Sequence, residues 1–349
     1  MTVTATGYLN WAISKYHDLR CDLATSGTPR IGAAEVGAPE VVDDFCTWEA
    51  LSKFVAEREG WGADEVTAAS GATGAMTLAC AALLSPGDRA LVERPAYEPL
   101  EHIPAAFGAA VDRLDRREQA DWKLEPDVVR AALRPGTRLV IVTEPNNPTG
   151  TFSAPETIAA VAAVAREAGA RLLVNEVYHR FHGAPSCRRA DRGILVADSV
   201  TKFEGLGWAR GGWLAGPADV VRRARDAQVT LSVLAPSSAA WARRALTLPA
   251  LAERARRMAS AEKRAVVARW VAAHPRLSWV EPSAGIFGLI RVADPPDLLA
   301  LAERLLASHG LLFAPGHFFG VPGTMRISWS AEESCLREGL GILGHALKR

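Results

Sequence analysis

The run DSVTKFEGLGWARGGWLAG, residues 198–216, brings together side chains that can do covalent chemistry. Lys202 has the Ser199 hydroxyl three residues before it and Arg210 eight residues after it, in a Gly-rich loop that returns to an apolar strand. A lysine amine forms a Schiff base with an aldehyde. A hydroxyl and a guanidinium suit the non-bridging oxygens of a phosphate. The three together point to a carbonyl cofactor that also carries an anion. Pyridoxal 5′-phosphate (PLP) has both groups on one ring.

Five other segments fit parts of such a site, each with a plainer reading beside it. Ser70-Gly71-Ala72-Thr73-Gly74 is a small-residue turn between a short strand and an apolar helix. Free backbone N–H groups at a helix start attract phosphate, and missing side chains allow close approach. Such a turn is as often structural. Arg94-Pro95-Ala96-Tyr97 follows a strand, so the Tyr97 ring can stack on a flat cofactor or simply pack into the core. Glu144-Pro145-Asn146-Asn147-Pro148-Thr149-Gly150 is a tight turn at a strand's C-terminal end, where ligand sites of open α/β sheets cluster. Asn175-Glu176-Val177-Tyr178 ends the next strand. In Met325-Arg326-Ile327-Ser328-Trp329 an arginine interrupts an apolar strand, which is costly unless it meets an anion. A bidentate clamp on an α-carboxylate would satisfy it, and so would an internal salt bridge.

The elements that must position these residues alternate along the chain. Short apolar runs at 89–93, 138–143, 171–175 and 194–197 read as strands. Ala-rich stretches at helical period lie between them, such as 154–169. This alternation predicts an α/β fold with a mostly parallel sheet and helices on both faces. Residues 211–215 read as a further strand, antiparallel. Pro249 suits a helix start, and 250–270 reads as one long helix. Beyond it, strands at 277–280, 286–292 and 326–329 and helices at 296–308 and 331–346 predict a smaller second domain. The expected division is an N-terminal arm over 1–39, a large domain over 40–245 and a small C-terminal domain over 246–349.

Composition narrows the partners. The 349 residues are 49% hydrophobic and 23% charged, with 40 basic against 39 acidic side chains and a formal net charge of +1. Without a single-sign charge block, neither nucleic acid nor an anionic membrane surface is an expected partner. The basic clusters Arg222-Arg223 and Arg254, Arg256, Arg257 read as solvated helix faces. Cys21, Cys46, Cys80, Cys187 and Cys335 are scattered and lack CxxC spacing, which speaks against a disulfide framework or metal site and for a reducing compartment. No signal peptide and no membrane span are read, so a cytoplasmic location is expected.

The ordered set GAT, PAY, NNPTG, EVY, SxxK and RIS resembles the aminotransferase class I/II family of fold-type I PLP enzymes, from about Leu23 to the C-terminus. The resemblance implies a large domain with a mostly parallel seven-stranded sheet, a smaller α+β C-terminal domain, an amino acid substrate and a homodimer. It implies that Lys202 is catalytic, holding the cofactor as a Schiff base and shuttling protons. Ala72, Thr73, Ser199 and Arg210 would hold the phosphate, Tyr97 would stack on the ring, and Asn147 and Tyr178 would contact the ring oxygen. Arg326 would bind the substrate α-carboxylate, with Asn147 beside it, and Ser26-Gly27 would belong to the segment that closes over substrate.

The sequence departs from the family at Asn175, where an aspartate normally faces the pyridine nitrogen. An amide cannot pair ionically with a protonated ring nitrogen, so the ring is expected to be a weaker electron sink. Three readings follow: a slower or specialised aminotransferase, an enzyme turned toward elimination, replacement, cyclisation, decarboxylation or racemisation, or a protein that has lost catalysis, which the retained Lys202, Arg210, Asn147, Tyr178 and Arg326 speak against. The segments LNWAISKYHDLRCDLATSG and ERLLASHGLLFAPGHFFG resemble capreomycidine-synthase-like members, which implies bacterial specialised metabolism. The tyrosine that often precedes the helix near Trp48 is absent from Val42-Asp43-Asp44-Phe45-Cys46, and the chain is short for the family. A cofactor-binding sensor is the competing class, but it needs a basic helix-turn-helix part for which the sequence leaves no room. A nicotinamide site is disfavoured because GATG lacks GxGxxG spacing.

Overall fold

The structure, a computed structural model, describes residues 6–16, 19–39, 47–231 and 233–348. The segment 42–46, with its missing tyrosine and Cys46, lies outside the described residues.

The strands alternate so that successive residues enter opposite cores. Along Thr137–Thr143, Leu139 and Ile141 belong to the core that holds the Gly71–Leu83 helix, while Val140 and Val142 belong to the opposite core, which holds Val161 and Ala165 of the Pro155–Glu167 helix. This period-2 division between two apolar cores requires helices on both faces. The sheet has seven strands, in the order Val66–Ser70, Gly211–Ala215, Leu195–Ser199, Arg171–Asn175, Thr137–Thr143, Arg89–Arg94 and Ala110–Asp115. Only Gly211–Ala215 runs antiparallel to its neighbours, as its sequence led us to expect. Six strands therefore end on one edge, at Ser70, Arg94, Asp115, Thr143, Asn175 and Ser199, and the seventh begins there at Gly211.

A second sheet is antiparallel, in the order Ala314–Pro315, Thr324–Ser328, Phe287–Val292 and Leu277–Trp279. Helices Leu298–His309 and Glu333–Leu347 close its core around Leu301, Leu336, Ile327 and Trp329. Cys21–Asp22 pairs in parallel with Leu311–Leu312, which ties the N-terminal segment to this sheet.

Two expectations need correction. The single helix over 250–270 is two, Pro249–Met258 and Ala261–Ala272. Ser260 sits between them in an extended conformation and accepts from the Lys263 amide, so a cap interrupts a helical period that the sequence pattern alone carries through. Arg254 is not on a solvated face: it is half-buried, and its guanidinium donates to the Pro29 carbonyl at 2.9 Å.

Candidate active site

All six segments open at the same edge of the main sheet or face it from the second. The Gly71–Leu83 helix begins directly after its strand, and Gly71 has φ +67°. A Cβ there would lie 2.8 Å from Arg210 Nη2, so only glycine lets the guanidinium lie over the start of this helix. Gly212 is equally constrained: its Cβ would meet Gly71 backbone at 2.6 Å. Arg210 itself has φ +53° and is exposed. Ser199 is buried at the neighbouring strand end, its hydroxyl 2.6 Å from that of Thr201. Ala72 and Thr73 occupy the first turn of the helix. The result is a cradle with free N–H groups, one guanidinium and two hydroxyls, suited to a phosphate.

A flat group beside that cradle would meet the strand ends. Asn175 is buried, and its Oδ1 has no hydrogen-bond partner. The neighbouring carboxylates do not replace the missing aspartate. Glu176 is turned to accept the Cys187 amide, and Asp198 pairs with Arg180. Tyr178 is buried, and burial pushes its hydroxyl up to about 12, while interaction with Ser26 and the charge of Arg326 oppose the rise. Tyr97 is partly buried, with Tyr178, Tyr8 and Arg210 among the groups facing its hydroxyl.

Lys202 lies between the cradle and the second sheet. Burial and the positive charges of Arg326 and Arg210 lower its amine to about 8. Its Nζ donates to Ser26 Oγ at 2.8 Å.

Arg326 decides between the two readings given to it. It is fully buried on the Thr324–Ser328 strand, and no carboxylate forms an ion pair with it among the described residues. Its partners are neutral: Asn147 Oδ1 at 2.8 Å, the Tyr8 hydroxyl at 2.7 Å and the Ala24 carbonyl. Phe287 and Phe319 cover its faces. Its charge acts on the buried Asp22 carboxyl, but the two form no ion pair, so the guanidinium keeps its capacity to take a further anion. Of the arginines considered for a second, distal carboxylate, Arg180 is taken by Glu204 and Asp198, and Arg291 by Glu118. Arg30 is exposed and forms no ion pair among the described residues.

The structure thus gathers Ser26, Gly27, Asn147, Tyr178, Lys202 and Arg326 on one side, and Ala72, Thr73, Ser199 and Arg210 on the other. Sequence reasoning missed Tyr8 and the Ala24 carbonyl. No local pattern marks them, since the short helix Gly7–Ile13 reaches Arg326 only through tertiary folding. It also missed Thr201, whose hydroxyl spacing from Ser199 was the available signal.

Comparison with known proteins identifies the family. Residues 29–341 match the family model described as aminotransferase class I and II. The chain is 32% identical to valine–pyruvate aminotransferase of Mycobacterium tuberculosis over 295 residues, covering 80% of this chain and 75% of that protein. It is 29% identical to capreomycidine synthase of Streptomyces vinaceus over 372 residues, covering 97% and 92%. The solved structure of the PLP-dependent cyclase OrfR superposes with a TM-score of 0.83 at 25% identity, covering 100% of this chain and 98% of that one.

Proposed function

This chain belongs to the aminotransferase class I and II family, and from that premise we propose that Lys202 binds PLP and works on the α-amino acid held by Arg326. The protein is a PLP-dependent, aminotransferase-like enzyme. The observation that carries the residue assignment is a desolvated lysine that feels the charge of two arginines, one at a phosphate cradle and one inside an apolar strand, neither of which forms an ion pair among the described residues.

The residues fit the cofactor. The Gly71 position, closed to any Cβ by Arg210, leaves backbone and guanidinium free for the phosphate, and the orphaned Asn175 Oδ1 faces a group the chain itself does not supply. Bound there, PLP supplies an aldehyde for the amine and an electron-withdrawing ring. Ala72, Thr73, Ser199 and Arg210 would hold its phosphate, Tyr97 would stack on its ring, and Asn147 and Tyr178 would contact the ring oxygen. Arg326 takes the substrate carboxylate with its planar fork, exchanging its neutral partners for an anion. Ser26 and Gly27 close the substrate side. Lys202 Nζ, with a lowered proton affinity, takes a proton and returns it near neutral pH.

Asn175 favours a second reading, cyclisation or elimination on the same residues. An uncharged partner stabilises a carbanion less, which penalises transamination more than loss of a β-substituent. The alignment with capreomycidine synthase over nearly the full chain supports it. One experiment separates the two: absorption spectra of the purified holoenzyme while single amino acids are added without a keto acid. Conversion of the cofactor to its amine form supports an aminotransferase. Recovery of the starting spectrum while the amino acid is consumed supports the cyclase or lyase reading. The absence of any amino-acid-dependent change, together with PLP binding unaffected by Lys202→Ala, overturns both.

The same reading includes a homodimer, a role in bacterial specialised metabolism and a cytoplasmic location. It assigns 40–245 to a cofactor-binding domain, with 1–39 and 246–349 around it. Cys21, Cys80, Cys187 and Cys335 are free, in keeping with a reducing compartment. Among the described residues no helix is long and apolar enough to cross a membrane.

A further inference from the structure

The segment around Ser26 is fastened to the Lys202 loop more firmly than substrate closure requires. Thr28 donates its amide and its hydroxyl to the Lys202 carbonyl at 2.9 and 3.1 Å, and the hydroxyl also reaches the Phe203 carbonyl at 3.1 Å. Ser330 Oγ donates to the Gly27 carbonyl at 2.9 Å. Gly27 lies so close that a Cβ would meet Lys202 O at 3.2 Å and Cα at 3.3 Å. Upstream, Asp22 Oδ1 accepts the amides of Ala24 and Thr25, both at 2.9 Å. The Ser26 side chain therefore has little freedom, and its Oγ is presented to Lys202 Nζ at 2.8 Å.

The surroundings give that contact a chemical meaning. The charged groups that face the amine are Arg326 and Arg210, both of its own sign. No carboxylate pairs with Lys202 among the described residues. Ser26 Oγ is the acceptor that Nζ has. The hydroxyl of Ser26 also lies near that of Tyr178 and opposes the rise that burial imposes on the phenol.

We propose that Ser26 is a catalytic, proton-handling residue, which orients the lone pair of Lys202 Nζ and accepts one of its N–H bonds when it carries the substrate's proton. The proposal rests on the reading of Lys202 as the PLP lysine and adds a role beyond closing over substrate. The proton balance is simple. The neutral amine takes a proton from the substrate carbon, the bonding pair stays behind, and Nζ becomes an ammonium with three N–H bonds. Ser26 accepts one of them. When the proton is returned, Nζ regains its lone pair. Ser26 ends with the proton it began with, and no oxidant or co-reactant is needed.

Two measurements test it. In the first, the apoprotein is mixed with PLP and the rate of Lys202 modification is followed against pH. The wild-type rate should rise with a midpoint near 8, where the amine loses its proton. Ser26→Ala removes an acceptor from the charged form, so its midpoint should fall by about one pH unit. In the second, solvent deuterium exchange at the substrate α-carbon is followed by NMR in the holoenzyme. At saturating substrate, Ser26→Ala should exchange about tenfold more slowly. Ser26→Thr, which keeps the hydroxyl, should recover both. A Ser26→Ala protein with wild-type midpoint and exchange overturns the proposal, as does a Ser26→Thr protein no better than Ser26→Ala. If wild-type apoprotein and Lys202→Ala respond alike to PLP, the reading of Lys202 fails instead.

Discussion

Asn175 and Arg326 show how far single residues reach. Asn175 is buried at a strand end with its Oδ1 unpartnered, and neither Glu176 nor Asp198 is free to supply a charge in its place. Asn175→Asp should therefore speed the transamination half-reaction by about tenfold or more, as one ionic contact is worth at least ~1.4 kcal/mol in a desolvated site. Single-turnover absorbance with a single amino acid measures this, and unchanged rates would remove the electron-sink argument. Arg326 works by shape as well as charge. Arg326→Lys keeps the charge but loses the planar fork and its hold on Asn147 and Tyr8. It should raise substrate KM by roughly ten- to a hundredfold, as for loss of a charge-assisted hydrogen bond, with a smaller change in kcat. Steady-state kinetics gives the split.

At the scale of elements, strand ends and helix starts do the positioning. The Gly71–Leu83 helix can hold an anion because its first residue leaves the backbone open under Arg210. Gly71→Ala forces a side chain into a left-handed conformation and into the guanidinium, a strain of about 1–3 kcal/mol. We expect PLP affinity to fall about tenfold or more, read by fluorescence titration, with the far-ultraviolet circular dichroism unchanged. In the second sheet's layer, Asp297 caps Leu298–His309 by accepting the Leu299 and Ala300 amides at 2.9 and 3.0 Å. Asp297→Ala should cost about 1 kcal/mol in denaturant unfolding, as for other side-chain caps, and leave PLP binding alone.

For the whole molecule, the site depends on a buried charge cluster beneath it. Arg116 bridges Glu93, at 3.0 Å, and Glu144, joining the strand ends that lead to Tyr97 and Asn147. The Asn146 amide donates to the Pro95 carbonyl and ties the two loops above. Burial and the proximity of Glu144 push the Glu93 carboxyl up to about 7, although Arg116 opposes the rise. The folded state thus holds a proton that the unfolded chain releases near its ordinary 4.5. This contribution to stability is present at low pH and is lost as pH rises from about 4.5 to about 7. Glu93→Gln should flatten that part of the stability–pH profile, by at most about 1.4 kcal/mol per pH unit, in unfolding measured at pH 5, 6 and 7.

The sequence by itself determined the alternating α/β order and the antiparallel strand at 211–215 and pointed to Lys202, because period-2 and period-3.6 patterns and short motifs are local. It could not determine where the helix over 250–270 breaks, because the Ser260 cap competes with an unbroken helical pattern. Tertiary structure decided which arginines are paired: Arg180 and Arg291 found carboxylates, while among the described residues Arg326 forms no ion pair and is held by Tyr8, Asn147 and a carbonyl. It also decided that Ser26 meets Lys202, 176 positions apart in the chain. Such pairings follow from how the sheets and the N-terminal segment pack, and no local pattern encodes them.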